Sequence, residues 1–176
     1  MSIILFLIYI LFLVFENLLL PAIAGPELFL VTPIFILAII VNSSNFKKAM
    51  IELIIFGLVG ELFTGAHLGS SLIPLIITAF VFFAIDHFIE MRAGLDSGAS
   101  LMVILGRSFI LLCLAYIYSW LFIFFGSSNG FGTLTTSNIS LAWDTWSILL
   151  SVGTAVTIFI WSCVFSIIFA YVLKTK

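Results

Sequence analysis

Residues 101–125 read LMVILGRSFILLCLAYIYSWLFIFF, and this stretch decides the class of fold. It contains one charged residue, Arg107, and it exceeds the roughly 20 apolar residues that a helix needs to cross a hydrocarbon layer of about 30 Å. Arg107 lies close enough to one end that its long side chain can extend back to the water boundary. The stretch therefore predicts a membrane-spanning helix.

Similar apolar stretches lie on both sides of this one, and the composition agrees with them. Hydrophobic residues make up 64% of the chain and charged residues 8%, whereas a soluble domain is about half apolar and about a quarter charged. So little charge cannot cover a surface that faces water. We expect an all-α polytopic membrane protein with a single domain, residues 1–176, and six transmembrane helices at about residues 3–20, 28–41, 49–64, 72–89, 101–125 and 143–173.

In this arrangement every Lys and Arg falls on one side of the membrane. The six residues are Lys47, Lys48, Arg92, Arg107, Lys174 and Lys176. Cytoplasmic loops collect Lys and Arg because moving a cation across the bilayer during insertion is unfavourable. The distribution predicts that both termini face the cytoplasm.

The composition also limits the classes of function. The net charge of −2 offers no basic face for nucleic acid. No metal-ligand spacing and no set of nucleophile, base and orienting group is recognisable, so we expect no catalytic residue, no metal, no cofactor, no small-molecule substrate and no enzymatic activity. Cys113 and Cys163 both lie inside predicted spans, and we interpret them as buried thiols that pack as small apolar side chains and not as a disulfide.

Among the acidic residues inside the predicted spans, Glu61 differs because glycines surround it. Gly57 lies one helical turn before it on the same face, Gly60 adjoins it, and Gly65 and Gly69 follow. Small residues in a membrane helix let another backbone approach closely. Two interpretations remain open. The carboxylate accepts hydrogen bonds from a neighbouring helix end or a partner, or it is a structural carboxylate near the outer boundary of the membrane.

The other acidic residues of the spans have simpler interpretations. Glu16 is expected to reach for water at the end of the first span. Glu52 lies four residues after Lys48, and this spacing predicts a surface ion pair. Asp86, beside His87, is expected to belong to a solvated helix end, with a proton relay through the two as the alternative.

Small residues also recur along the sixth predicted span at spacings of three or four. The residues in question are Ser147, Ser151, Ala155, Ser162 and Ser166, with Ile158 between Ala155 and Ser162. Such a narrow face favours close contact with another helix, and the lining of a polar path is the alternative.

The segment GLVGELFTGAHLG, residues 57–69, resembles the signature of the bacterial rod-shape-determining MreD family. In that family a helix that contains glycine leads into Asp-Leu, then Gly, then Leu-Gly, before the next apolar helix. Glu61-Leu62, Gly65 and Leu68-Gly69 keep this spacing, with Glu in place of the usual Asp. Upstream, residues 26–28, Pro-Glu-Leu, are similar to the Pro-Asp/Asn-Leu that opens the family's second span. The resemblance covers about residues 19–83.

This resemblance implies a fold related to the substrate-binding subunits of energy-coupling-factor transporters. It implies a non-enzymatic scaffold of the cell-elongation machinery, which builds peptidoglycan and sets rod shape, in the bacterial cytoplasmic (inner) membrane. The implied partners, besides membrane lipid, are MreC-like and RodA-like proteins, the associated transpeptidase and an MreB-like filament. The alternative is a substrate-binding subunit of a vitamin transporter of the energy-coupling-factor type. The chain lacks the Ala-x-x-x-Ala faces with which those subunits dock.

Overall fold

The computed structural model describes residues 3–19, 31–43, 45–64, 68–89, 101–126 and 152–172. Within these residues the backbone forms six helices joined in part by turns, which confirms the predicted all-α class. The helices are α1 (Ile3–Val14, continued by a π-helical turn at Phe15–Leu19), α2 (Val31–Asn42), α3 (Phe46–Thr64), α4 (Leu72–Ile89), α5 (Leu101–Gly126) and α6 (Val152–Val172).

The largest difference from the predicted boundaries is at the start of α3. The helix begins at Phe46, so that Lys47 and Lys48 lie in its first turn and not in the preceding connection. The Lys48 amide donates to the Asn45 side-chain oxygen at 3.2 Å, so Asn45 caps the helix. The second helix is described as Val31–Asn42, and residues 28–30, the start of its predicted span, lie outside the described residues. Residues 143–151, the start of the sixth predicted span, lie outside the described residues.

Helices that are neighbours in the sequence run antiparallel. The Phe46 ring, at the start of α3, packs on Phe80 and Phe83 in the second half of α4, with centroid separations of 5.7 and 4.8 Å. Ser108, near the start of α5, likewise contacts Ser166 near the end of α6. The bundle therefore has two ends that differ in charge.

We name these ends by the charged residues that lie toward them. Lys47, Lys48 and Arg107 lie toward one end, called here the Lys end. Glu16 and Glu61 lie toward the opposite end, called here the Glu end. The end of α1 and the start of α2 lie at the Glu end, as do the end of α3 and the start of α4.

The second helix is the centre of the bundle. Ten of its twelve residues are buried, and it contacts α1, α3, α4, α5 and α6. Rings from three helices meet around Phe35, which packs 5.6 Å from Phe12 of α1 and 5.4 Å from Phe165 of α6. Such tilted and edge-to-face pairs are favourable beyond the area that they bury. They join the first, second and last helices into one core.

The outer surface of the described helices is rich in large apolar side chains. Met102 of α5 is 84% exposed, Ile3 of α1 is 78% exposed and Leu62 of α3 is 74% exposed. By length and composition, the segment Met102–Phe125 is the one described helix that could cross a membrane, with a mean hydropathy of 2.2. Shorter apolar helices lie at Ile3–Leu18, Val31–Asn42, Leu72–His87 and Ala155–Phe169.

The two cysteines do not occupy the places that we expected. Both thiols are free, but Cys113 is exposed and Cys163 is half-buried. Cys113 lies one turn after Phe109, which is 62% exposed, on the outward side of α5. The prediction of a buried thiol is therefore wrong for Cys113, because an apolar helix does not reveal from its sequence which side faces the core.

Candidate functional site

The Glu61 carboxylate closes the N-terminus of α4. Its Oε1 atom accepts hydrogen bonds from the amides of Ser71 and Leu72, each at 2.8 Å, and its Oε2 atom accepts one from the amide of Gly69, also at 2.8 Å. The side chain is only 1% exposed. The first amides of a helix have no partner within it, and a carboxylate there both satisfies them and complements the helix dipole.

The turn before α4 is shaped so that these amides converge. Gly69 has a φ of +94°, which residues with a β-carbon adopt poorly. Pro74, the third residue of α4, has no amide hydrogen and so leaves one donor fewer to satisfy in the first turn. Glu61, Gly69 and the start of α4 therefore form one closed unit, called here the Glu61 cap.

The two glycines before Glu61 make room for other helices of the same chain. A Cβ atom on Gly57 would lie 2.5 Å from Cδ1 of Leu72, which belongs to α4. A Cβ atom on Gly60 would lie 2.8 Å from the hydroxyl of Tyr9, which belongs to α1. The space that the glycines provide is thus filled from within the chain, by α4 on one side and α1 on the other.

Two buried tyrosines complete the surroundings of the cap, and no sequence pattern pointed to either. The Tyr9 hydroxyl donates to the Phe56 carbonyl oxygen at 2.5 Å, and the two rings lie 4.6 Å apart. The hydroxyls of Tyr118 and Ser71 lie 3.2 Å apart, so α5 bonds to the turn that Glu61 caps. A buried tyrosine usually finds a partner for its hydroxyl, but residues 47 apart in sequence reveal no such pairing.

The structure brings four of the predicted site residues together, namely Gly57, Gly60, Glu61 and Gly69. Gly65 lies outside the described residues, as do Ser147 and Ser151 of α6's predicted small-residue face. The observed hydrogen bonds agree with the interpretation in which Glu61 serves a neighbouring helix end.

The other half of the small-residue face packs inside the bundle. Ser162 and Ser166 are both fully buried. Ser166 lies 3.3 Å from the hydroxyl of Ser108 on α5, which in turn lies 2.8 Å from the carbonyl oxygen of Ile104. The Ser162 hydroxyl has no hydrogen-bond partner among the described residues. Ser166 therefore contributes a polar link between α5 and α6, and Ser162 does not.

Two interpretations of acidic residues need correction. Glu16 does not reach for water, because its Oε2 atom accepts hydrogen bonds from both the amide of Thr32, at 2.7 Å, and the hydroxyl of the same residue. Glu52 is only 6% exposed, so the predicted surface position is wrong, and the i, i+4 spacing from Lys48 did not reveal the side of α3 that is buried. Asp86 is half-buried and His87 is exposed toward the Lys end.

The chemistry that this arrangement offers is hydrogen bonding by a buried carboxylate whose donors all come from the same chain. Among the described residues, no group of three or more His, Cys, Asp or Glu could hold a metal ion. Comparisons of the chain with protein-family models, with curated proteins and with solved structures found no match. The similarity of residues 57–69 to the MreD signature therefore rests on the motif alone.

Proposed function

We propose that the chain is an MreD-like scaffold of the bacterial cell-elongation machinery, embedded in the cytoplasmic membrane through six helices. The observation that carries this proposal is the Glu61 cap. The positions on which the resemblance rests include Glu61, Leu68 and Gly69, and the spacing of eight residues between Glu61 and Gly69 is the spacing that the cap uses. Two positions of the motif thus take part in one turn of the structure, and this supports the proposal.

The distribution of charge and exposure supports the membrane-embedded part of the proposal. Large apolar side chains cover the outside of α1, α3, α5 and α6, as lipid-facing surfaces require. The exposed Lys47 and Lys48 lie at the Lys end, which we assign to the cytoplasm because cytoplasmic segments collect Lys and Arg. The Glu end then faces outward. The α3 helix is less apolar than the others because it contains four charged residues, namely Lys47, Lys48, Glu52 and Glu61. Both glutamates are buried.

The packing also indicates how such a scaffold would meet its partners. Glu61 and Gly57 are buried within the chain, so they shape the scaffold and do not touch a partner directly. The surfaces left for MreC-like and RodA-like proteins are the exposed apolar faces, such as Ile51, Leu58 and Leu62 along α3. A role in assembly needs no catalytic group, in keeping with a non-enzymatic scaffold.

The orientation is tested with reporter fusions. Fusions after Lys48, Ser97 and Lys176 should report a cytoplasmic position, and fusions at Gly25, Gly69 and Gly130 should report an external one. A cytoplasmic reading at Gly69 would place the Glu61 cap on the wrong side and overturn the proposed topology.

The assignment to cell elongation is tested in the native cell with a tagged chain. Depletion should turn rods into round cells, and the tagged chain should co-purify with MreC-like and RodA-like proteins from solubilised membranes. Glu61→Leu should lose both effects, while Leu62→Met, which keeps a large apolar side chain at the adjacent exposed position, should keep them. Mass spectrometry of small molecules released from the purified chain tests the alternative function, a vitamin-transporter subunit. A stoichiometric vitamin there, with normal cell shape after depletion, would favour the transporter subunit instead.

A further inference from the structure

The Glu end contains a second cap, which neither the motif nor the resemblance singled out. Glu16 lies on the π-helical turn that ends α1, and its carboxylate binds the amide and the hydroxyl of Thr32, the second residue of α2. Turns of this kind are rare and often occur at functional positions. We call this contact the Glu16 cap.

We propose that α1–α2 and α3–α4 are two copies of one helix hairpin, and that Glu16 is a positioning residue for α2 as Glu61 is for α4. Each hairpin has a glutamate near the end of its first helix, whose carboxylate accepts amide hydrogen bonds at the start of the second helix. In each second helix the third residue is proline, Pro33 in α2 and Pro74 in α4.

The positions that are buried after the proline of α4 are also buried after the proline of α2. Counted from the proline, the residues at positions +1, +4, +5 and +8 are buried in both helices. They are Ile34, Leu37, Ala38 and Val41 in α2, and Leu75, Thr78, Ala79 and Phe82 in α4. Both helices have alanine at the position +5. Because ten of the twelve residues of α2 are buried, this match shows only that α2 can present the same positions as α4, and the two caps with their prolines carry the proposal.

The Glu16 cap affects the packing of the whole bundle because it fixes the start of α2. The twelve residues of α2 span about 18 Å at 1.5 Å per residue, less than the about 30 Å of a hydrocarbon layer. One end of α2 must then lie at membrane depth. Asn42 is followed after a short turn by the exposed Lys47 and Lys48, so the end at depth is the one that begins at Val31.

An uncapped helix start at that depth would be strongly unfavourable, because no water is present to bond its amides. Pro33 removes one donor, and Glu16 satisfies the amide of Thr32. Since α2 contacts every other helix, a shift of its N-terminus would displace the core around Phe35. Glu16 therefore positions α2 for the entire fold. This part of the argument rests on the proposed membrane embedding and not on the proposed cellular role.

The experiment uses the full-length chain, purified in detergent, and measures its thermal unfolding midpoint. Glu16→Ala and Glu61→Ala should each lower the midpoint by about 5 °C or more, while Asn17→Ala, a change at the next residue of the same turn, should lower it by less. Glu16→Gln should remain close to the unaltered chain, because both donors of Thr32 converge on a single oxygen. Thr32→Val should lower the midpoint and Thr32→Ser should not.

Small carboxylates test whether the start of α2 needs an acceptor. Formate added to the Glu16→Ala chain should raise its midpoint, whereas formamide, and chloride at equal ionic strength, should raise it less. A Glu16→Ala chain as stable as the Asn17→Ala chain would overturn the proposal. A Thr32→Val chain as stable as the unaltered chain would also overturn it. This second comparison can be made even if the Glu16→Ala chain does not accumulate in cells.

Discussion

The hydroxyl of Tyr9 lies in a space that exists because residue 60 is glycine. It donates to the carbonyl oxygen of Phe56 at 2.5 Å, the carbonyl to which the Gly60 amide bonds in a regular α-helix. A Cβ atom on Gly60 would lie 2.8 Å from that hydroxyl. The first and third helices thus meet at a contact that needs a tyrosine on one side and the absence of a side chain on the other.

This contact predicts that the effects of Tyr9 and Gly60 are coupled. Gly60→Ala should cost about 1–3 kcal/mol, because the new methyl group overlaps the hydroxyl. In a Tyr9→Phe background the same change should be nearly neutral or stabilising, since alanine favours helix over glycine by about 1 kcal/mol. Reversible unfolding of the four chains in mixed micelles gives the coupling. Equal costs of Gly60→Ala in both backgrounds would contradict the contact.

Gly57 should tolerate a small side chain better than Gly60 does. The atom nearest to a methyl group added at Gly57 is the tip of Leu72, at 2.5 Å, and the next atoms of that side chain lie at 3.7 and 3.8 Å. Rotation of Leu72 can relieve the overlap, so Gly57→Ala should cost less than about 1 kcal/mol, whereas Gly57→Leu should cost several times more. Leu72→Ala should partly restore the Gly57→Leu chain in the same unfolding assay. A Gly57→Leu chain of normal stability would show that α4 does not pack here.

Glu61→Gln should lower the stability of the chain, although glutamine has nearly the same shape as glutamate. The three amide donors are divided between its two oxygens, so a glutamine must turn its own N–H groups toward one of them. We expect a loss of about 1–3 kcal/mol, larger for Glu61→Leu. The matched control is Glu16→Gln, where both bonds from Thr32 reach one oxygen and the loss should be smaller. If both glutamine chains unfold at the same midpoint, the sharing of three amide donors between the two Glu61 oxygens does not contribute to stability.

Gly69→Ala should destabilise the turn between α3 and α4 by about 1–2 kcal/mol, because an L-residue adopts its positive φ poorly. The added methyl would also lie 3.0 Å from Cδ1 of Ile73. Replacement of Ile73 by Ala should relieve the overlap but leave the conformational cost. Amide exchange at Ser71 and Leu72 is the local measurement, and faster exchange there is the expected result.

The two buried serines of α6 should respond in opposite directions to the same substitution. Ser162→Ala removes a hydroxyl that has no partner among the described residues, so it should be neutral or stabilising. Ser166→Ala removes the partner of Ser108 and should cost about 1 kcal/mol. Unfolding midpoints of the two variants compare them directly. A larger loss for Ser162→Ala would mean that its hydroxyl has a partner in the folded protein.

The sequence was sufficient to identify the helices and the cluster around Glu61, because apolar length and the spacing of glycines are local signals. It was insufficient wherever the face of a helix mattered. Leu53 is buried and Leu62 is 74% exposed on the same helix, and nothing in their chemistry separates them. In a helix that is apolar on all sides, the hydrophobic pattern does not point to the core.

The contacts of Tyr9, Tyr118 and Glu16 were missed for a related reason. Each joins residues that are 16 or 47 positions apart, and such pairs follow only from knowing which helices are neighbours. Glu52 shows the opposite error. The i, i+4 spacing predicts an ion pair on an exposed helix surface, but the bundle encloses the Glu52 side chain.

The Glu61 cap also constrains how the chain is made. All three donors to Glu61 come from residues 8 to 11 positions later in the sequence, so α3 leaves the ribosome before its carboxylate has any of them. A lone α3 would carry Glu61 and Glu52 into lipid without these partners, at a high cost. In a chain embedded in the membrane as proposed, the third and fourth helices should therefore enter the bilayer together as a pair, and a released chain that ends before Leu72 should leave α3 outside it.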